Sequence, residues 1–238
     1  MSLVNQFYNL PDSSLLGRVH FIVVVKKLKG KTYLINTTDP NGAKFEYDWL
    51  CLNYMNNISD IILQSSKNTR VDKGLHVYPF NDILSKYGYS IISKPRCSVV
   101  YSTSPTTVNF ESPLFQDPIH HVIYSKTNGP SNIPVIVSEN FDIDFMKSKI
   151  CELFPDINAE PTVTIECGAI FFKILLELKQ YPDYLLFTEL EGRDERDDYL
   201  VGEIDMELVG ENYRLISESE KFEDEWGKWT FKVYSKNS

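Results

Sequence analysis

Three carboxylates at two-residue spacing, Glu203, Asp205 and Glu207, are the pattern in this 238-residue sequence most able to do chemistry. They alternate with Ile204, Met206 and Leu208. An extended strand would put them on one face, about 6.8 Å apart. Such a row suits a hard cation, a basic protein surface or imitation of a phosphate ladder. It equally suits the solvated face of an antiparallel sheet with Arg214 or Lys232 opposite, and that plainer reading carries more weight.

The flanking segments are also acidic. Glu191, Asp194, Glu195, Asp197 and Asp198 come just before the row, interrupted by Arg193 and Arg196. Glu218, Glu220, Glu223, Asp224 and Glu225 follow it and lead into Trp226. Either segment alone is an ordinary solvated loop. Converged, they would steer a cationic partner, with Trp226 as an aromatic anchor.

Nucleophilic chemistry has one candidate. Cys167 sits with Gly168 between a β-branched run and a helical pattern, and a helix N-terminus lowers a thiol pKa. His120 or His121 would be its base, with Asp117 or Asp142 to orient the ring. The adjacent Glu166 opposes a thiolate, and a buried structural thiol is the ordinary alternative. Cys51, Cys97, Cys151 and Cys167 contain no CxxC pair, so no zinc or redox site is expected and the thiols are expected reduced. The sequence has no P-loop, dinucleotide fingerprint, HExxH or GxSxG. Thr230-Phe231-Lys232 lacks the acidic residue that a restriction-type nuclease would set beside the 202–205 strand. No metal site and no cofactor are expected.

The elements that must position these groups centre on residues 161–191. Residues 162–166 predict a strand and residues 184–188 a second, buried one. Residues 169–180 predict a helix apolar nearly all round, hence covered on more than one side. Pro182 ends it. Residues 18–26 predict a central strand, followed by a hairpin whose tip carries Lys26, Lys27, Lys29 and Lys31. That tip is an anion grip or, with more weight, a soluble turn. A helix is expected over 49–64 with Asp48 as cap, and another from Asp142 to Phe154. Further strands are expected at 75–80, 89–93, 97–102, 121–126, 134–138, 199–209, 213–217 and 226–236.

Charge is divided unevenly. Residues 1–116 carry 12 basic and 8 acidic side chains, and residues 117–238 carry 12 and 25. With three prolines in residues 103–118, this suggests a mildly basic subdomain over 1–115 and an acidic one over 116–238, a single continuous domain being the alternative. The fold class expected is α+β, mainly antiparallel sheet with a few packed helices. A net charge of −9 argues against nucleic-acid or anionic-membrane partners. With no signal-peptide pattern and no long apolar run, a cytoplasmic location is expected. The function expected is that of a non-enzymatic, immunity-like inhibitor engaging a basic protein. The alternatives are a hydrolase, based on Cys167 or on metal-binding carboxylates, and an assembly component.

Overall fold

The computed structural model describes residues 3–37, 39, 42–193 and 196–237. Its strands are β1 (Val19–Leu28), β2 (Lys31–Ile35), β3 (Ile61–Ser65), β4 (Cys97–Ser102), β5 (His120–Ser125), β6 (Val135–Val137), β7 (Val163–Ile165), β8 (Tyr184–Gly192), β9 (Leu200–Ile204), β10 (Tyr213–Glu218), β11 (Phe222–Glu223) and β12 (Gly227–Lys236). Its helices are α1 (Leu3–Tyr8), α2 (Asp12–Leu15), α3 (Glu46–Ile58), α4 (Ser66–Val71), α5 (Asn81–Lys86), α6 (Ile143–Leu153), α7 (Ala169–Glu177) and α8 (Met206–Asn212).

All strands join one sheet, whose main path runs β6-β5-β4-β3-β7-β1-β8-β12-β10. From β6 to β8 every neighbour is parallel. The β12 strand then pairs antiparallel with β8, and β10 with β12. On the side, β2 folds back on β1 and carries β9. The expectation of a mainly antiparallel sheet is therefore wrong. Parallel strands are buried on both faces and lose the polar–apolar alternation that marks a half-solvated sheet. The first eight residues of β1 are all buried, as befits a strand between two neighbours with helices on both faces.

One misassigned stretch accounts for much of the error. Ile58, Ile61 and Ile62 fall at helical spacing, which extends the expected helix to residue 64. The chain instead breaks after Ile58. Ser59 N–H bonds the Met55 carbonyl, Asp60 N–H bonds the Thr162 carbonyl, and β3 begins. Residues 75–80 and 89–93 are irregular rather than strands. The Ile92 amide donates to Asn57 Oδ1 instead of to a neighbouring strand.

Helices cover both faces. Phe21, Val23, Leu63, Val99, Ile165 and Phe187 pack against α6 and α7 on one. Ile22, Leu186, Phe231 and Val233 pack against α1, α3 and α5 on the other. Helix α7 buries Phe171, Phe172, Leu175 and Leu176. It stops at Glu177, short of residue 180, because Lys179 turns left-handed with φ 56° and Gln180 N–H closes onto the Leu175 carbonyl. Helix α6 starts as its sequence suggests, with Asp142 Oδ1 accepting from Phe145 N–H at 2.8 Å. Strands from both sides of residues 103–118 share the sheet, β1 lying between β7 and β8. No helix among the described residues is long and apolar enough to cross a membrane.

Candidate active site

The chain lays β3, β4, β5 and β6 outward on one side of β1, then returns to insert β7 between β1 and β3. In open parallel sheets, ligands bind beyond the carboxyl ends of the strands at such a reversal of order. Strand β7 stops at Ile165, opposite Phe21 of β1 and Leu63 of β3. Its neighbours run on to Leu28 and Ser65, so beyond Ile165 no strand separates β1 from β3, and this gap in the sheet is the crevice that the topology points to.

Glu166 sits at its base. Its amide donates to the Leu63 carbonyl at 2.9 Å, the last ladder bond of that joint. Gln64 Nε2 donates to Glu166 Oε2. Asn68, in the first turn of α4, donates to Gln64 Oε1 at 2.6 Å and to the Glu166 carbonyl at 3.3 Å. The other carboxyl oxygen, Oε1, is buried with no protein partner. Burial pushes the Glu166 carboxyl up to about 8, against the pull of Asn56 and Gln64 and with a further push from Asp48. This group is uncharged near neutrality.

Asp48 approaches from one face of the sheet. It lies in the first turn of α3, inside the helix rather than at its cap, which is Phe45. Its carboxyl is pushed up to about 6 by burial, and Thr188 of β8 opposes the shift. Behind it Cys51 and Tyr8 are fully buried, their protons held by burial and by the Asp48 charge. On the other face, α7 starts at Gly168 with no side-chain cap and with open space where a Cβ would stand. Strand β9 closes against that start: a Cβ on Gly202 would lie 2.8 Å from Ala169 Cβ.

The residues singled out from sequence lie elsewhere. The alternating carboxylates do not form a row, because the strand ends at Ile204. Asp205 caps α8, its Oδ1 accepting from Glu207 N–H at 3.0 Å and Leu208 N–H at 3.1 Å. Glu207 is in the first helical turn, and Glu203 pairs with Lys31 at 2.9 Å. Glu191 pairs with Lys221 at 2.9 Å. Asp197 and Asp198 are exposed, and Asp194 and Glu195 lie outside the described residues. Trp226 is half-buried under the Arg196 guanidinium, 5.1 Å from its centroid. At the hairpin, Lys26 is buried and donates to the Arg196 carbonyl and the Tyr199 hydroxyl.

The cysteine constellation does not assemble either. Cys167 is buried with Sγ on the Leu63 carbonyl, and burial reinforced by Glu166 pushes its thiol well up. His120 and His121 begin β5, three strand spacings or about 14 Å across the sheet from β7. His120 stacks on Phe154 at 4.0 Å, and His121 Nε2 lies 3.2 Å from the Asp117 carbonyl. Among the described residues no group of His, Cys, Asp and Glu is arranged to hold a metal ion.

No protein-family model matches the chain. No curated protein matches its sequence. Solved structures match its fold. A pyrimidine reductase-like protein from Corynebacterium diphtheriae superposes with a TM-score of 0.63 at 14% identity, over 100% of both chains. The riboflavin biosynthesis reductase of Saccharomyces cerevisiae gives 0.59 at 12%, over 98% of each.

The chain has the dihydrofolate reductase-like fold. A third match is the diaminohydroxyphosphoribosylaminopyrimidine deaminase/5-amino-6-(5-phosphoribosylamino)uracil reductase of Thermotoga maritima, with TM-score 0.57 and 14% identity. The match covers 94% of this chain but only 58% of that protein. These likenesses overturn the expectation of a non-enzymatic, immunity-like inhibitor, since the structures that share the fold are reductases or reductase-like. Of the acidic residues that motivated it, Asp205 is an N-cap and Glu203 and Glu191 form local ion pairs.

Sequence reasoning missed Asp48, Gln64, Glu166 and Thr188 as a group. Glu166 carried the one local signal: a carboxyl straight after a β-branched run and just before a helix start.

Proposed function

We propose that this chain is a reductase that delivers hydride to the carbon of a C=N bond in a substrate built on an aminopyrimidine, in the chemistry of riboflavin formation. The observation that carries the reading is Asp48, a carboxyl pushed up to about 6, set with Glu166 at the carboxyl ends of a parallel sheet. The printed functions of the fold's other members supply the reaction class.

Reduction of a C=N bond needs a hydride on carbon and a proton on nitrogen. The hydride source for such a reductase is a nicotinamide dinucleotide, which supplies the hydride when bound. The residues present fit such a group. The uncapped first turn of α7 offers backbone N–H groups to phosphate, and Gly168 leaves the approach open. Lys67, exposed on α4, adds positive charge at the end of β3.

The rest belongs to the chain's own side chains. With its carboxyl pushed up to about 6 by burial, Asp48 can deliver a proton to the nitrogen of that bond. Thr188 of β8 opposes the upward shift of that carboxyl. Glu166 stays neutral, and Gln64 and Asn68 hold it in place. Burial of the Cys51 and Tyr8 protons keeps those groups inert behind Asp48.

The test is calorimetric titration with NADPH, followed by loss of NADPH absorbance on adding an aminopyrimidine nucleotide. Binding and turnover, both reduced in a double Asp48→Asn, Glu166→Gln variant, support the reading. A chain that binds no NADPH sinks it.

A further inference from the structure

Gly202 and Ile204 of β9 share one face, as residues two apart in a strand do. Ile204 is 3% exposed in the apolar cluster that contains Phe171 and Phe172 of α7. Leu34, the β2 partner of Gly202, belongs to the same cluster. That face lies against α7, where a large apolar residue would be the ordinary occupant. Glycine inside a strand marks a bulge, a bend or a close approach by another segment. The β2–β9 ladder shifts register beside Gly202, between Leu34 and Ile35. Yet Gly202 has no positive φ, so its backbone does not require glycine. What the position lacks is space. A Cβ there would stand 2.8 Å from Ala169 Cβ. Carbon atoms in contact keep about 3.5–4.0 Å.

Ala169 opens α7. The amides of Phe171 and Phe172 close the first turn on the Gly168 carbonyl at 3.0 and 3.1 Å. The amides of Ala169 and Ile170 therefore come before the helical ladder and are those that a phosphate would meet. Among the described residues β9 pairs with β2 alone, off the main path of the sheet. Its separation from α7 is set by side-chain packing rather than by a ladder, and Gly202 on Ala169 is the contact at the helix start.

We propose that Gly202 is a positioning residue for the dinucleotide, a role that rests on the reductase reading. Without a side chain it seats β9 on Ala169 and holds the first turn of α7 where its amides can take a phosphate. A methyl group at 202 would force the two elements roughly 0.7 Å apart, a misplacement large enough to spoil that fit.

The test uses the full chain and two readouts. Hydrogen exchange at the Phe171 and Phe172 amides, measured without ligand, reports the seat. Calorimetric titration with NADPH reports its use. Gly202→Ala should speed the exchange and weaken NADPH binding about tenfold. Adding Ala169→Gly removes the opposing Cβ and should restore both. Asp205→Ala, which loses the α8 cap and lowers the melting temperature, should change neither. Unaltered exchange in Gly202→Ala, or no recovery on adding Ala169→Gly, overturns the proposal. NADPH held equally well by the unaltered chain and Gly202→Ala removes the positioning role and leaves the reductase. Exchange that responds to both substitutions in a chain that binds no NADPH removes the reductase and the positioning role with it, leaving only the seat of β9 on α7.

Discussion

Gln64 and Glu166, 102 residues apart in sequence, are joined by a hydrogen bond from the Gln64 amide to the Glu166 carboxyl across the β3–β7 joint. The bond is possible only because β7, among the last parallel strands in the chain, is inserted beside β3. It holds a buried carboxyl at the place where the sheet opens, and it sets the chemistry proposed for the crevice.

The protonation of Glu166 makes stability pH-dependent. Its carboxyl, at about 8 in the fold against an ordinary 4.5, holds a proton that the unfolded chain has lost. The resulting stability is fully present below 4.5 and is lost as pH rises through 8. His20, lowered from 6.5 to about 4 by burial, acts in the opposite sense over that lower range. From pH 6.5 to 8, therefore, the melting temperature should fall, and Glu166→Gln should flatten that slope. Calorimetric melts across this window check it; an unchanged slope in the variant would count against a buried, protonated Glu166.

Asp48→Asn tests the proton donor. Loss of a positioned acid typically costs about 10²–10⁴ in rate. Turnover should fall by that order with NADPH affinity little changed, and the pH–rate limb near 6 should disappear. Steady-state kinetics over pH measure both. A retained limb would move the donor role to another group.

Asp205 and Glu203 should now behave differently, although the sequence sets them in one row. Asp205→Ala removes the α8 cap and should cost about 1 kcal/mol. Glu203→Gln loses only the exposed pair with Lys31 and should leave the unfolding midpoint nearly unchanged. Urea unfolding of the two variants measures the contrast, and equal losses would speak for a shared carboxylate face.

Arg96 is 2% exposed and donates to the carbonyls of Lys94, Asn57 and Ile92, tying the end of α3 to the approach to β4. Arg96→Ala strands these carbonyls and opens a cavity, so it should destabilise by about 3 kcal/mol or more. Chemical denaturation checks the figure. A loss under about 1 kcal/mol would mean that water replaces the guanidinium.

Thiol reactivity separates the cysteines. Cys51, Cys97 and Cys167 are buried, and burial pushes all three thiols up. Cys151 is the partly exposed one. Iodoacetamide at neutral pH should label Cys151 first, as read by peptide mass spectrometry. Prior labelling of Cys167 would revive it as a nucleophile.

What the sequence determined by itself is local. The apolar run of β1 requires burial on both faces, and Asp142 followed by helical spacing requires the start of α6, whereas α7 buries one face and leaves Ile170 exposed instead of being covered all round. Each depends on residues within a few positions of one another. Strand order and direction do not. Parallel neighbours are joined by long crossovers, and nothing local to β7 says that it will enter between β1 and β3. Only the tertiary structure could split residues 202–208 between a strand end and a capped helix. Two-residue spacing fits both until Asp205 Oδ1 takes the free amides of α8. The crevice group of Asp48, Gln64, Glu166 and Thr188 comes from four elements. Its altered acidity arises from burial, which exists only once those elements have packed.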